Sequence, residues 1–214
     1  MIDNLPEALE KILVEGITEL GLQLSGSQVK LLLSYIGLLV KWNKSFNLTA
    51  IRDPEAMIVR HLLDSLSVSA YLQGENIIDV GTGPGIPGIP LAIVFPKRRF
   101  TLMDSNGKKV RFMNQAKQSL GLDNIFPIQH RVESYHSMEI FDCVISRAFT
   151  SLKQMVDMTS HLVGEKGVMQ AMKGVYPEPN QQELESPWII HKVINLKVPT
   201  LDEQRHLVNI TKEV

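Results

Sequence analysis

Cysteine is nearly absent from this 214-residue chain: Cys143 is the only one. A lone thiol cannot close an internal disulfide, and the six histidines have no close Cys or His partner at metal-ligand spacing. Neither a disulfide framework nor a metal site is expected. Long apolar runs are missing too, and none approaches the roughly 18 to 20 residues that cross a bilayer. The opening MIDNLPEALEKIL lacks the basic and then apolar segments of a secretory leader, so a cytoplasmic protein without a membrane partner is expected. Charge of one sign is also lacking: 22 Lys and Arg against 23 Asp and Glu leave a net charge of −1. That balance excludes a generally basic nucleic-acid coat but permits a local patch that binds phosphates. There is no internal repeat, and YPEPNQQELESP (176–187) is the one polar, proline-bearing loop.

What is present divides near residue 74. Leu5, Leu9, Ile12, Leu13, Ile17 and Leu20 recur at helical spacing, as do Val29, Leu32, Leu33, Ile36 and Val40, with Ser25 and Ser27 as candidate N-caps. Asp53-Pro54 reads as an N-cap followed by proline at the first helical position, opening a third helix through EAMIVRHLLDSLSVSAYL. Residues 1–73 are therefore expected to form a helical segment packed on the core of residues 74–214. In the second part, five β-rich runs alternate with helical stretches: 76–80, 99–104, 125–129, 142–146 and 167–173. This is the pattern of βαβ units and a parallel sheet. WIIHKVINLKV and RHLVNITK are joined by too few residues for a crossover helix, so the sheet should end in an antiparallel pair.

The first of these strands runs into DVGTGPGIPG, which contains the dinucleotide fingerprint Gly83-x-Gly85-x-x-Gly88. Glycines there let a ligand approach the backbone and leave amide donors at the next helix N-terminus, a device of NAD and adenosyl sites alike. Asp79, two residues before Gly81, suits the cationic methionine end of S-adenosylmethionine (AdoMet) and would repel a pyrophosphate. Pro84, Pro87 and Pro90 remove donors that a pyrophosphate would need. No residues remain for a dehydrogenase substrate domain, so AdoMet is the expected cofactor and an NAD-binding oxidoreductase the weaker alternative. Asp104 ends the second strand about twenty residues on, where a carboxylate can accept both ribose hydroxyls or cap the helix that follows. Ser105 adjoins it, and Glu133 lies past the third strand on the same edge, within reach of an adenine.

KWNKSFNLTAI, RHLLDSL, DVGTGPGIPGIPLAI, LMDSNGKKVRF, ISRAF, AMKG and RHLVNI occur together and in order over about residues 35–212. In this the chain resembles the bacterial small-subunit rRNA guanine-N7 methyltransferase family, also called glucose-inhibited division protein B. The resemblance implies a Rossmann-like α/β fold of the class I AdoMet-dependent methyltransferases, with a seven-stranded sheet whose last strand is antiparallel. It implies methylation of N7 of one guanosine in 16S rRNA near the decoding site, with that rRNA or the 30S subunit as partner. By position it puts cofactor contacts on Gly81, Ile86, Val132, Glu133 and Arg147. A monomer is expected, and a non-catalytic AdoMet-binding assembly factor is the alternative outside enzymes.

Position relative to the carboxyl edge of the sheet sorts the basic residues. PKRR (96–99) precedes the second strand and is assigned to the opposite, solvated edge. Lys108, Lys109 and Arg111 open a helix, Arg147 and Lys173 end strands, and Arg205 with His206 opens the last; all are candidates for the RNA. Lys41, Asn43, Arg60 and His61, from the helical segment, are further candidates, and Arg60 with Asp64 has the spacing of an i, i+4 pair. Trp42 and Phe46, also i, i+4, read as core packing. Guanine N7 carries an unprotonated lone pair, so no general base is assigned, and Arg147 is the one residue expected to act on the reacting group. Cys143, inside an apolar strand, reads as a buried structural thiol.

Overall fold

In a computed structural model, the structure of the protein describes residues 7–137, 139–149, 151–176 and 183–213. The expectations for Leu5 and for residues 177–182 of the polar loop lie outside these residues. α1 (Glu7–Glu19) buries Leu9, Leu13 and Ile17. α2 (Gly26–Phe46) is capped by Ser25, whose Oγ accepts the Gln28 N–H while the Gln28 side chain accepts the Ser25 N–H. This reciprocal box satisfies two amide donors that the first turn would otherwise leave open.

The helix expected from Pro54 onward is not continuous. Asp53 does cap it, through Oδ2 and the Ala56 N–H, but α3 (Pro54–Met57) gives way to a π turn over Ile58–Leu63, then to α4 (Asp64–Leu66) and a 3-10 turn at Ser69–Tyr71. In the π turn the Asp64 N–H reaches the carbonyls of Val59 and His61, and the Arg60 carbonyl accepts from Arg147 Nη1 instead. A side chain from another element has entered the helical ladder, which is a common cause of such a turn.

The strands are β1 (Asn76–Val80), β2 (Arg99–Asp104), β3 (Ile125–Gln129), β4 (Phe141–Ser146), β5 (Val163–Lys173), β6 (Trp188–Leu196) and β7 (Arg205–Lys212). They form one seven-stranded sheet in the order β3-β2-β1-β4-β5-β7-β6, parallel through β5, with β7 antiparallel to both its neighbours. α5 (Gly88–Val94), α6 (Gly107–Leu120) and α7 (Leu152–Thr159) are the remaining α-helices of the described residues. Because side chains alternate along a strand, each strand feeds two cores. Ile77, Phe100, Leu102, Cys143 and Ile145 pack on the face covered by α1, α2, α5 and α6, whereas Ile78, Met103, Val144 and Met169 pack on the face covered by α7. The N-terminal helices thus share one core with the sheet. Trp42 sits edge-on to Phe112 of α6, 5.7 Å between centroids, and 5.1 Å from Phe46, which is exposed and does not join the core as expected.

Candidate active site

Two of the clefts at the carboxyl edge of the sheet take in most of the expected site residues. The first, about 390 Å³, is lined by Gly81, Asp104, Ser105, Val132 and Glu133, together with Val80, Met103, Lys109, Phe149 and Met158. The second, about 400 Å³, is lined by Arg60, His61, Asp64, Arg147, Lys173, Arg205 and His206, among others. They meet along the segment after β4: Ala148 and Phe149 face the first cleft and Arg147 the second. Lys173 ties that wall to the end of β5 by donating from Nζ to the Phe149 carbonyl at 2.8 Å.

The glycine loop is held from three sides. Asp79 is fully buried, with Oδ2 accepting from Thr82 Oγ1 and from the Gly88 N–H at 2.8 Å. Its Oδ1 is buried without a hydrogen-bond partner, and burial pushes the carboxyl up to about 7 against the pull of those two bonds. Asp104 Oδ2 accepts the Gly83 N–H at 2.9 Å, and Oδ1 accepts the Asn106 N–H at 2.8 Å. From α2, the buried Tyr35 hydroxyl donates to the Pro84 carbonyl at 3.0 Å. Gly81 (φ +69°) and Gly83 (φ +64°) both sit in the left-handed region that glycine tolerates best. A Cβ on Gly81 would stand 2.5 Å from Ala148 Cβ, closing the wall of the first cleft.

These features fit AdoMet. Asp104 can accept ribose hydroxyls, since a carboxylate has about four lone-pair sites and Asp104 has not filled all of its own, and Glu133 lines the same cleft within reach of an adenine. Val80, Met103, Val132 and Met158 offer apolar surface, and Asp79 Oδ1 is an unfilled acceptor at the loop. Asp79 itself, Gly83, Gly85, Ile86 and Arg147 do not line the first cleft: Asp79 lies under the loop and Arg147 faces the second cleft. The helix after β2 is capped by Asn106, not Asp104.

Arg147 donates from Nη1 to Asp64 Oδ2 at 2.7 Å, and Arg205 from Nε to Asp64 Oδ1 at 3.0 Å. Asp64 therefore joins these two arginines, and the i, i+4 pairing expected with Arg60 is replaced by an Arg60–Glu203 pair. The structure also revises two RNA candidates. Asn43 is buried and occupied, donating from Nδ2 to the Ile51 carbonyl and accepting the Thr49 N–H, so it shapes the loop after α2. His61 is buried, with Nε2 bonded to Thr49 Oγ1 and Nδ1 near the Arg60 carbonyl; burial first, then the Arg147 charge, pull it down to about 4. Lys109 belongs to the first cleft, 3.4 Å from Asp104 Oδ2. Lys41, Lys108 and Arg111 are exposed and line neither cleft. His206 is buried, its Nδ1 bonded to the Gly174 carbonyl at 2.8 Å. Cys143 is fully buried beside Gln170, and its thiol is pushed far up by that burial. No group of three or more His, Cys, Asp or Glu among the described residues could hold a metal ion.

Tyr35, Thr82, Asp64 and Glu203 were not among the expected site residues. Tyr35 left a signal, as a polar hydroxyl inside the apolar run LLLSYIGLLV, and Asp64 left one only as a partner for Arg60.

Comparison with known proteins gives the family and the fold. The family model of rRNA small subunit methyltransferase G matches residues 28–208. The ribosomal RNA small subunit methyltransferase G of Alteromonas mediterranea is 49% identical over 98% of this chain and 100% of its own. That of a Shewanella species is 50% identical over 92% and 96%. Among solved structures, the fold is similar to a SAM-dependent methyltransferase from Thiobacillus denitrificans in complex with S-adenosyl-L-homocysteine (TM-score 0.51, 9% identity, 71% of this chain and 90% of that one). It is also similar to the mitomycin 7-O-methyltransferase MmcR (TM-score 0.59, 12% identity, 74% and 56%). The chain belongs to the rRNA small subunit methyltransferase G family and is an AdoMet-dependent methyltransferase with the class I fold.

Proposed function

We propose that the protein methylates N7 of a guanosine in 16S rRNA near the decoding site, acting in the cytoplasm as a monomer. The observation that carries this reading is the shared wall at 147–149, which sets a carboxylate-lined cleft beside an arginine-lined one. AdoMet, when bound in the first cleft, supplies an electrophilic methyl group. Asp104 and Glu133 would hold it by its ribose and adenine ends, and the glycine loop, which Asp79 fixes from beneath, by its methionine end.

The second cleft orients the guanosine. N7 lies on the Hoogsteen edge beside O6 and has a free lone pair at neutral pH, so no proton has to be removed before attack. Arg147 keeps one nitrogen committed to Asp64 and the Arg60 carbonyl, and its remaining donors are free to meet O6. An arginine that also bonded N7 would block the reaction, so a contact to O6 alone is required. His61, held neutral, adds no charge to the cleft at physiological pH. Catalysis then rests on positioning and on fixed charge.

Transfer of tritium from labelled AdoMet to undermethylated 30S subunits, with mapping of the labelled nucleotide, tests the reading. Label on one guanosine, released by N7-specific cleavage, is expected. AdoMet binding without transfer would point to the silent assembly factor.

A further inference from the structure

Glu203, in the loop between β6 and β7, is gripped by two arginines from distant parts of the chain. Arg60 Nη1 donates to its Oε2 at 3.2 Å and Arg60 Nη2 to its Oε1, while Arg205 Nη2 donates to Oε2 at 2.9 Å. Two guanidinium groups closing on two oxygens of one anion is the geometry that arginine offers to carboxylates and phosphates alike. The two acids of this cluster are held differently. Asp64 has only 4% of its side chain exposed, so it stays between Arg147 and Arg205; Glu203 has 48% exposed. Arg205 is also fixed by bonds that do not involve Glu203, from Nε to Asp64 and from Nη1 to the Gln204 carbonyl. The anion seat therefore keeps its deeper half when Glu203 leaves.

We propose that the Arg60–Arg205 fork is a binding site for a backbone phosphodiester of the substrate RNA, and that Glu203 fills it in the free protein and is displaced when RNA docks. This rests on the rRNA reading above and assigns one of its contacts. Arg60 and Arg205 both line the second cleft, which places the phosphate next to the arginine assigned to the guanine. The two arginines hold the Glu203 carboxyl down at about 2, so the occupant is an anion throughout the working range. An exposed ion pair contributes little to stability, so exchanging it for a phosphodiester is a small step that RNA binding can drive. The arrangement also rejects weak anionic ligands, because any competitor must first displace the tethered carboxylate.

The experiment measures dissociation constants for an undermethylated 16S rRNA fragment against salt, for wild type, Glu203→Gln, Arg60→Ala and the double variant. Glu203→Gln should bind about two- to tenfold more tightly and steepen the log–log salt slope by about one unit, since no carboxylate has to be re-solvated. In the Arg60→Ala background that gain should disappear, while AdoMet affinity stays constant across the series. Unchanged or weaker RNA binding by Glu203→Gln, with an unchanged melting temperature, overturns the proposal, and so does a gain that persists without Arg60. Inorganic phosphate at matched ionic strength is the second probe, and it serves also if Glu203→Gln melts early. Displacement of RNA from wild type by phosphate no better than by chloride is expected, because Glu203 already excludes free anions; strong competition would mean that Glu203 does not occupy the fork in the free protein and overturn the displacement proposal. A wild type that binds no rRNA would remove the functional reading itself, a result distinct from failure of the fork alone.

Discussion

Arg147 donates to Asp64 at 2.7 Å, and this bond joins the end of β4 to the short helix that follows the π turn. The pair is asymmetric: Asp64 is 4% exposed and Arg147 29%. The buried acid fixes one side of a guanidinium whose other donors remain available at the cleft. Arg205 uses the second oxygen of the same carboxylate. Removing Asp64 therefore takes a buried carboxylate from two arginines at once, leaving Arg205 with Glu203 and the Gln204 carbonyl and Arg147 with the Arg60 carbonyl.

Asp64→Ala should cost about 2–4 kcal/mol in urea unfolding, the range for breaking a buried ion pair, reduced because both arginines touch solvent. Asp64→Asn, which keeps one acceptor, should cost less. In both variants kcat/KM for rRNA should fall far more than AdoMet affinity. A stability loss under about 0.5 kcal/mol would mean that solvent replaces the carboxylate easily.

Asp79 and His61 should give the stability curve two opposed slopes. Asp79 ionises at 3.8 when unfolded and at about 7 in the fold, so its contribution is full below about 4 and is lost as pH rises to 7. His61 gains its proton at 6.5 when unfolded and at about 4 in the fold, so its contribution is full above 6.5 and is lost as pH falls to 4. Urea midpoints at pH 5 and pH 7 test this. Asp79→Asn should increase the gain in midpoint from pH 5 to pH 7 relative to wild type, and His61→Gln should reduce or reverse it. Parallel behaviour of the two variants would contradict the assigned directions.

The strands were legible because their signal is local. Asn76–Val80, Arg99–Asp104 and Arg205–Lys212 stand where the β-rich runs place them. β5 begins at Val163, earlier than the run at 167, because the half-buried Gly164 and the exposed Glu165 and Lys166 leave no alternation to read. The edge rule likewise brought Arg147, Lys173, Arg205 and His206 to one cleft with Arg60 and His61. What local pattern could not supply was pairing across the chain. Arg60 and Glu203 are 143 residues apart, and the π turn exists where Arg147 takes the Arg60 carbonyl. Asn43 has the polarity of a surface contact, yet its amide is consumed by the loop that it closes.

Substitutions at Gly81 and Gly83 should separate fold from cofactor. Around Gly83 a Cβ meets nothing within 4 Å, so Gly83→Val pays mainly the left-handed backbone cost, roughly 1–2 kcal/mol, and stays folded. If that loop holds the methionine end of AdoMet, as proposed, the added side chain stands in its way, and calorimetry should find binding abolished. Gly81→Ala must also push Ala148 aside, so it should lower both the melting temperature and AdoMet affinity. Near-normal AdoMet affinity in Gly83→Val would move the cofactor away from this loop.

The absence of a base makes the last expectation kinetic. If N7 attacks as a free lone pair, the single-turnover rate on the saturated complex should be nearly flat from about pH 6 to 9, where a required base would give a tenfold change per unit below its pKa. Saturation matters because Asp79, pushed up to about 7, titrates in this window and can alter AdoMet affinity without touching the chemical step. Cys143→Ser should leave the rate within a small factor, as its thiol is fully buried and beyond contact with either cleft. Arg147→Ala should lower it on the order of a hundredfold, the usual cost of removing a positioned electrostatic group. A steep acid limb, or a rate that depends on Cys143, would mean that the methyl group goes to a different atom, one whose proton has to be taken away or whose ring needs a thiolate to attack it first.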